Sequence, residues 1–184
     1  VTMVQMAAGF SSLVNGGDYY EPHIVKEIQN ENGAIVKKME PVVVKKTVSD
    51  KTSSLIRQYM KATVEDGTAA PAAVKGYSIG GKTGTAQKRP VSERKYLVSF
   101  LGCVPAENPE AVVYVIIDEP HVEDQAHSTY ATEFASKIMK KILPFLEIYP
   151  EKEEEPKATD KPQDDSTEPV GEDTAGQDPA GSGQ

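Results

Sequence analysis

Two overlapping patterns near the middle of this 184-residue chain carry residue types at spacings that could do chemistry. The first, Gly76-Tyr77-Ser78-Ile79-Gly80-Gly81-Lys82-Thr83, satisfies the phosphate-loop spacing letter for letter. That chemistry presents backbone N–H groups and a lysine to nucleotide phosphates at a helix start, so it needs an apolar strand before the pattern and a helix after it. Here the preceding residues are Asp66-Gly67-Thr68-Ala69-Ala70-Pro71, a loop, and Gly84-Thr85-Ala86-Gln87 with Pro90 close behind makes a poor helix. Nucleotide binding is not expected. The second pattern is Lys82-Thr83-Gly84-Thr85, and on its own a lysine flanked by threonines is ordinarily a soluble strand edge. In an ideal strand Lys82 and Gly84 share one face, Thr83 and Thr85 the other, so a local twist or bulge is needed for all of them to serve one cleft. Elsewhere, Cys103 between Gly102 and Val104 reads as a buried thiol. Histidines 23, 121 and 127 share no helix-face spacing, so no metal site is expected.

These groups need elements to hold them. Val1 to Gly17 reads as a helix: Thr2 and Gln5 fit a capping box, Met3, Met6, Ala7, Phe10, Leu13 and Val14 recur on one apolar face, and Asn15-Gly16-Gly17 supplies a left-handed stop. His23 to Ile28 and Ala34 to Lys38 read as short strands around the hairpin signal Asn30-Glu31-Asn32-Gly33, followed by an apolar stretch at Val42 to Val44. Ser49 can cap a helix from Asp50 to Glu65, with Leu55, Ile56, Tyr59, Met60 and Thr63 on one face and Gly67 at its end. Tyr77 to Gln87, Lys95 to Val104 and Ala111 to Asp118 are three strand candidates, the last two joined tightly enough to be antiparallel. Ser128 to Leu143 then places Phe134, Ala135, Ile138 and Ile142 on one helix face, which Pro144 must end or kink. The fold class is α+β, an antiparallel sheet packed by helices.

Composition narrows the function. The chain has a formal net charge of −8, and residues 151–184 hold 11 acidic against 3 basic side chains, so residues 1–150 are balanced at 17 of each sign. With four prolines and Val170 as its one apolar residue larger than alanine, the segment 151–184 reads as a disordered acidic tail. A neutral body with an acidic tail has no basic face for a phosphate backbone, so nucleic acid is not an expected partner. The longest apolar run, Ala111 to Ile117, is far short of a membrane span. One cysteine excludes an internal disulfide framework.

The strand motif lies within Gly80-Gly81-Lys82-Thr83-Gly84-Thr85-Ala86-Gln87, with Val1-Thr2-Met3-Val4-Gln5 to Asn15-Gly16-Gly17 ahead and Ser99-Phe100-Leu101-Gly102 and Pro105-Ala106-Glu107-Asn108-Pro109 behind. Together these resemble the C-terminal half of the transpeptidase domain of class B penicillin-binding proteins, over residues 1 to about 148. The resemblance implies the C-terminal part of a serine β-lactamase-like fold in residues 1–150. It also implies a D,D-transpeptidase that cross-links peptidoglycan stem peptides and binds penicillin. An acyl-D-alanyl-D-alanine stem peptide would lie antiparallel along the Lys82 strand as an added strand. By the same resemblance Lys82 supplies positive potential and orders the proton network, and the Thr83 and Thr85 hydroxyls address the substrate carboxylate. Gly84 leaves room for the substrate backbone, the Thr85 N–H is one of two oxyanion donors, and Gln87 lines the entrance. No cofactor is implied. The implied partners are stem peptide, β-lactam antibiotics, an N-terminal half of the same protein, and cell-wall synthesis or division proteins. The implied location is the extracytoplasmic face of a bacterial membrane, held by an N-terminal anchor.

The family's nucleophile is a serine in Ser-x-x-Lys, and a Ser-x-Asn motif follows it. Neither occurs upstream of Lys82. Ser92-Glu93-Arg94-Lys95 matches Ser-x-x-Lys, but it follows the strand motif in a charged turn with no apolar helix to carry it, and reads as coincidence. The chain is therefore expected to be a fragment, inactive alone. Two alternatives stand beside this: a non-catalytic β-lactam-binding sensor or scaffold, and a serine β-lactamase.

Overall fold

In the computed structural model, residues 1–150 are described, and the acidic tail assigned to 151–184 lies outside the described residues. Thr2 opens helix α1, Met3–Val14, with the expected reciprocal cap: its hydroxyl accepts from the Gln5 N–H at 3.2 Å while Gln5 Oε1 accepts from the Thr2 N–H at 2.9 Å. Phe10 and Val14 are buried, but Met3 and Met6, expected on the same face, are exposed. The reason is that α1 meets the sheet through its C-terminal half, where Phe10, Leu13 and Val14 join Leu101, Cys103 and Val112. At the stop, Gly16 and Gly17 take φ of +99° and +108°, and a Cβ on Gly17 would stand 2.0 Å from the Val48 carbonyl oxygen.

Two small two-stranded sheets follow. β1, Asp18–Tyr20, pairs antiparallel with β4, Val43–Lys46, and between them β2, Glu27–Gln29, pairs with β3, Ile35–Lys38. The turn at Asn30 to Gly33 is as expected, with Gly33 at φ +77° and the Asn30 side chain accepting from the Asn32 and Ala34 N–H groups. The strand expected from His23 to Ile28 is instead Glu27–Gln29. β3 is four residues long and its last partner, Lys38, is opposite Glu27, so residues 23–26 have no strand to pair with.

Helix α2, Asp50–Glu65, has the expected bounds and cap, Ser49 Oγ accepting from the Thr52 N–H at 3.1 Å. Its buried stripe is rotated from expectation: Ser53 and Val64 are buried while Leu55 and Tyr59 are exposed. Polar contacts set that rotation. Ser53 Oγ accepts from the Gly16 N–H at 2.9 Å and from Arg57 Nη1 at 3.0 Å, and the same Arg57 nitrogen donates to the Val14 carbonyl at 2.8 Å.

β5, Gly80–Gln87, β6, Tyr96–Val104, and β7, Ala111–Asp118, form one antiparallel sheet in the order β5-β6-β7. β5 starts three residues later than expected: a turn at Lys75-Gly76 precedes residues 77–79, and the Ser78 carbonyl accepts from the Ala106 N–H beyond the end of β6 instead of joining the ladder. Helix α3, Thr129–Ile142, covers one sheet face, packing Ala131, Ala135 and Met139 against Val98, Phe100, Val113 and Val115. Phe134, expected on that face, is exposed, because the contact runs along Ala131, Ala135 and Met139, a stripe whose two alanines admit close approach. Pro144 falls in a 3₁₀ turn after the helix, as expected. The architecture is the α+β arrangement of antiparallel sheets packed by helices.

Candidate active site

Among the described residues β5 pairs with β6 alone and is an end strand. Its pairing is continuous from Gly80↔Cys103 to Gln87↔Tyr96 with no register shift. The bulge that seemed necessary to gather the site residues does not occur. Lys82 and Gly84 lie on the face of Leu101 and Ser99, and Thr83 and Thr85 on that of Phe100 and Val98. What unites them is the open edge. The long Lys82 side chain curls round it, donating from Nζ to the Thr83 carbonyl at 3.0 Å and reaching Thr83 Oγ1 at 3.5 Å.

Edge parity decides which backbone groups are open. In an antiparallel strand the N–H and C=O of one residue point the same way and successive residues alternate. The Gly81 carbonyl accepts from Thr63 Oγ1 and the Thr83 carbonyl from Lys82, both on the side away from β6, whereas the Lys88 N–H donates across to Lys95. Odd-numbered residues therefore face the open edge, the Thr85 N–H and C=O among them, and the Lys82 ammonium sits on the Thr83 carbonyl of the same edge. Lys82, Thr85 and Gln87 are exposed, Thr83 and Gly84 half-buried. A Cβ on Gly84 would stand 2.6 Å from Ser99 Oγ, so its cross-strand partner already asks for glycine there. Gln87 Nε2 donates to the Val91 carbonyl at 3.2 Å, which turns it toward the β5–β6 connection.

The surroundings differ on the two faces. Leu101, directly opposite Lys82, is also part of the wall of an apolar groove of about 660 Å³, with Met6, Phe10 and Leu13 of α1 and Tyr19 and Val44 of the β1–β4 sheet. At the far end of β5, Lys88 donates to Glu119 at 2.6 Å and to Asp118 at 3.0 Å. Lys95 pairs with Glu93 at 2.9 Å and Glu119 at 3.6 Å. The hydrogen bond that Lys95 donates to Glu93 and the charge of Glu119 hold the Lys95 ammonium above its ordinary value. A lysine acting as base needs the opposite shift, so Lys95 is unsuited to activate Ser92. No helix begins at Lys82, which removes the geometry a phosphate loop requires. Among the described residues no group of three or more His, Cys, Asp or Glu side chains could share a metal ion. Cys103 is fully buried, and burial pushes its thiol up to about 11 against a hydrogen bond from the Gly80 backbone.

Two residues that the sequence did not mark as site residues touch the motif, Thr63 having been read only as part of a helix face. Thr63 on α2 holds the Gly81 carbonyl, and Thr68 Oγ1 lies 3.2 Å from Thr83 Oγ1. Gly67, read only as a helix stop, was the available signal: it marks where the chain doubles back toward β5.

Three comparisons bear on this arrangement. The family profile described as penicillin binding protein transpeptidase domain matches residues 1–140. Stage V sporulation protein D of Bacillus subtilis is 43% identical over 158 residues, covering 83% of this chain and 24% of that protein. Among solved structures, the transpeptidase domain of penicillin-binding protein 3 from Burkholderia pseudomallei superposes with a TM-score of 0.68 at 29% identity, covering 82% of this chain and 44% of that one. Penicillin-binding protein 3 from Mycobacterium tuberculosis, solved in complex with ampicillin, gives 0.68 at 26% identity, covering 83% and 36%. The chain thus spans about a quarter of the length of the sporulation protein and less than half of each of these solved chains. Since the profile runs unbroken from the capped helix through the Lys82 edge and into α3, the chain belongs to the penicillin-binding protein transpeptidase domain family.

Proposed function

We propose that this chain is the C-terminal part of a class B transpeptidase domain, and that in a longer protein it serves D,D-transpeptidation of peptidoglycan by serine acyl transfer. The observation that carries the reading is the open edge of β5, where the backbone groups of Thr83 and Thr85 face outward and the Lys82 ammonium sits on the Thr83 carbonyl. An acyl-D-alanyl-D-alanine stem peptide adds to that edge as a strand, its terminal carboxylate met by Lys82 and the hydroxyls of Thr83 and Thr85. A serine from an upstream segment attacks the penultimate carbonyl. The serine oxygen–carbon bond forms, the amide C–N bond breaks, and the departing D-alanine amine takes up a proton as the serine loses one. The amine of a second stem peptide then displaces the serine from the ester, closing the cross-link. The Thr85 N–H is one of two donors to the oxyanion, each worth about 3 kcal/mol in the transition state. A β-lactam enters the same way, its ring amide opening onto the serine. Gln87 stands at the mouth.

The longer protein works on the extracytoplasmic face of a bacterial membrane, held there by an N-terminal anchor. No described helix is long and apolar enough to cross a membrane. That the 43% identical relative is named for stage V of sporulation supports sporulation as the process served.

Labelling with a fluorescent penicillin tests the reading. Residues 1–184 alone are expected to take no denaturation-resistant label. Supplying the upstream half restores labelling, and Lys82→Ala abolishes it again. Stable label on a serine of residues 1–184 by themselves, or restored labelling indifferent to Lys82→Ala, overturns the assignment. An upstream half without Ser-x-x-Lys would turn the reading toward a sensor or scaffold.

A further inference from the structure

Thr83 has an unusual set of neighbours for an edge threonine. Its Oγ1 lies 3.2 Å from Thr68 Oγ1 and 3.5 Å from Lys82 Nζ, although it projects from the opposite face to Lys82. Thr68 reaches it through a tightly specified turn. α2 ends at Glu65 with Asp66 as its cap, and at Gly67, the next residue, a Cβ would stand 2.8 Å from Thr63 Cα and 2.9 Å from the Thr63 carbonyl oxygen. The chain doubles back there, with the Ala69 N–H donating to that same Thr63 carbonyl at 3.0 Å. One residue earlier than this bond sits Thr68. The same helix end places Thr63 Oγ1 on the Gly81 carbonyl, which takes the first outward carbonyl of β5 out of play. The open edge is thereby limited to Thr83 and beyond.

We infer that Thr68 is a positioning residue: it donates its hydroxyl proton to Thr83 Oγ1 and so aims the Thr83 proton at the carboxylate of the incoming ligand. The direction follows from counting donors. An ammonium can only donate, so Lys82 fills one lone pair of Thr83 Oγ1. A proton donated by Thr68 fills the other. Among the described residues the single proton of Thr83 then has no other acceptor, so it is left for an arriving anion, and its bond to that anion is charge-assisted. Reversing the Thr68–Thr83 bond would spend the Thr83 proton inside the protein. The inference rests on the transpeptidase reading of the β5 edge and adds to it a residue fifteen positions upstream of Thr83.

The test uses the longer protein with its upstream half and compares acylation by a penicillin with acylation by its methyl ester, which lacks the anion. In Thr68→Val the ratio of second-order acylation rates, free acid to ester, falls about fivefold, the loss expected of the one neutral hydrogen bond that aims the Thr83 hydroxyl. Thr68→Ser keeps the ratio within about twofold of the parent, because the donor is retained. A merely structural role would lower both rates together. An unchanged ratio in Thr68→Val, or equal losses for acid and ester, overturns the inference. The reading beneath it fails separately, if Lys82→Ala leaves labelling intact.

Discussion

Lys82, Lys88 and Lys95 lie on or beside the same strand, yet only the first is left to act on a visitor. The carboxylates of Glu119 and Asp118 hold the Lys88 ammonium above its ordinary value, and Glu93 with Glu119 do so for Lys95, so both are engaged as cations. The recorded hydrogen bonds of Lys82 go to the carbonyl and hydroxyl of Thr83, neutral acceptors that an anion can outbid. Cys103 is the opposite case, a reactive group made inert. With its thiol pushed up to about 11 and its surface fully covered, almost no thiolate exists at pH 8 and none is reachable. In native protein at that pH a maleimide should label Cys103 at least about 100-fold more slowly than in denaturant. Equal rates in the two conditions would show that the thiol is open. The sequence made Cys103 readable as buried because it sits in an unbroken strand pattern. It could not reveal Thr68, whose meaning depends on a contact across fifteen residues.

Among the elements, β5 and β6 are fastened by a notch that no periodicity announces. Gly81 and Gly102 are directly paired, and the Phe100 ring lies over both: a Cβ on either would come within 2.5 to 2.6 Å of the ring. The fully buried Phe100 thus covers two residues that have no side chain of their own. Gly102→Ala, with no change at the edge itself, should destabilise the protein by about 1–3 kcal/mol, read as a lower denaturant midpoint at unchanged slope. An unchanged midpoint would mean the ring has room to move. The helix starts at Thr2 and Ser49 were legible because capping is local chemistry. The helix faces were misread in part. Leu55, Tyr59 and Phe134 satisfy an apolar period but point outward, since the Ser53–Arg57 latch and the small residues of α3 decide rotation through distant partners. Strand pairing in the two small sheets was harder still, their strands being three or four residues long.

At the scale of the molecule, the described residues form a sheet with one helix layer on the Phe100 face, while the Leu101 face is only partly covered by α1 and α2 and leaves the apolar groove beside Lys82. We propose that the upstream half of the longer protein fills this face and brings the nucleophile with it. The edge of β5 has a further consequence for the chain by itself. Hydrogen-bonding groups that accept a peptide strand do not distinguish a substrate from another strand of the same composition. Separated from its upstream half, the chain should therefore pair β5 to β5 at high concentration. In an antiparallel pair two Lys82 ammonium groups are brought onto one ladder, so added salt should strengthen the association by screening them. Sedimentation velocity over a concentration series checks this: a single species at all concentrations and salts would refute it, and Thr85→Pro, which deletes an edge donor, should return the monomer. On this view Lys82 has a second employment as gatekeeper, a charge whose repulsion of its own likeness keeps a sticky edge vacant until an anion arrives.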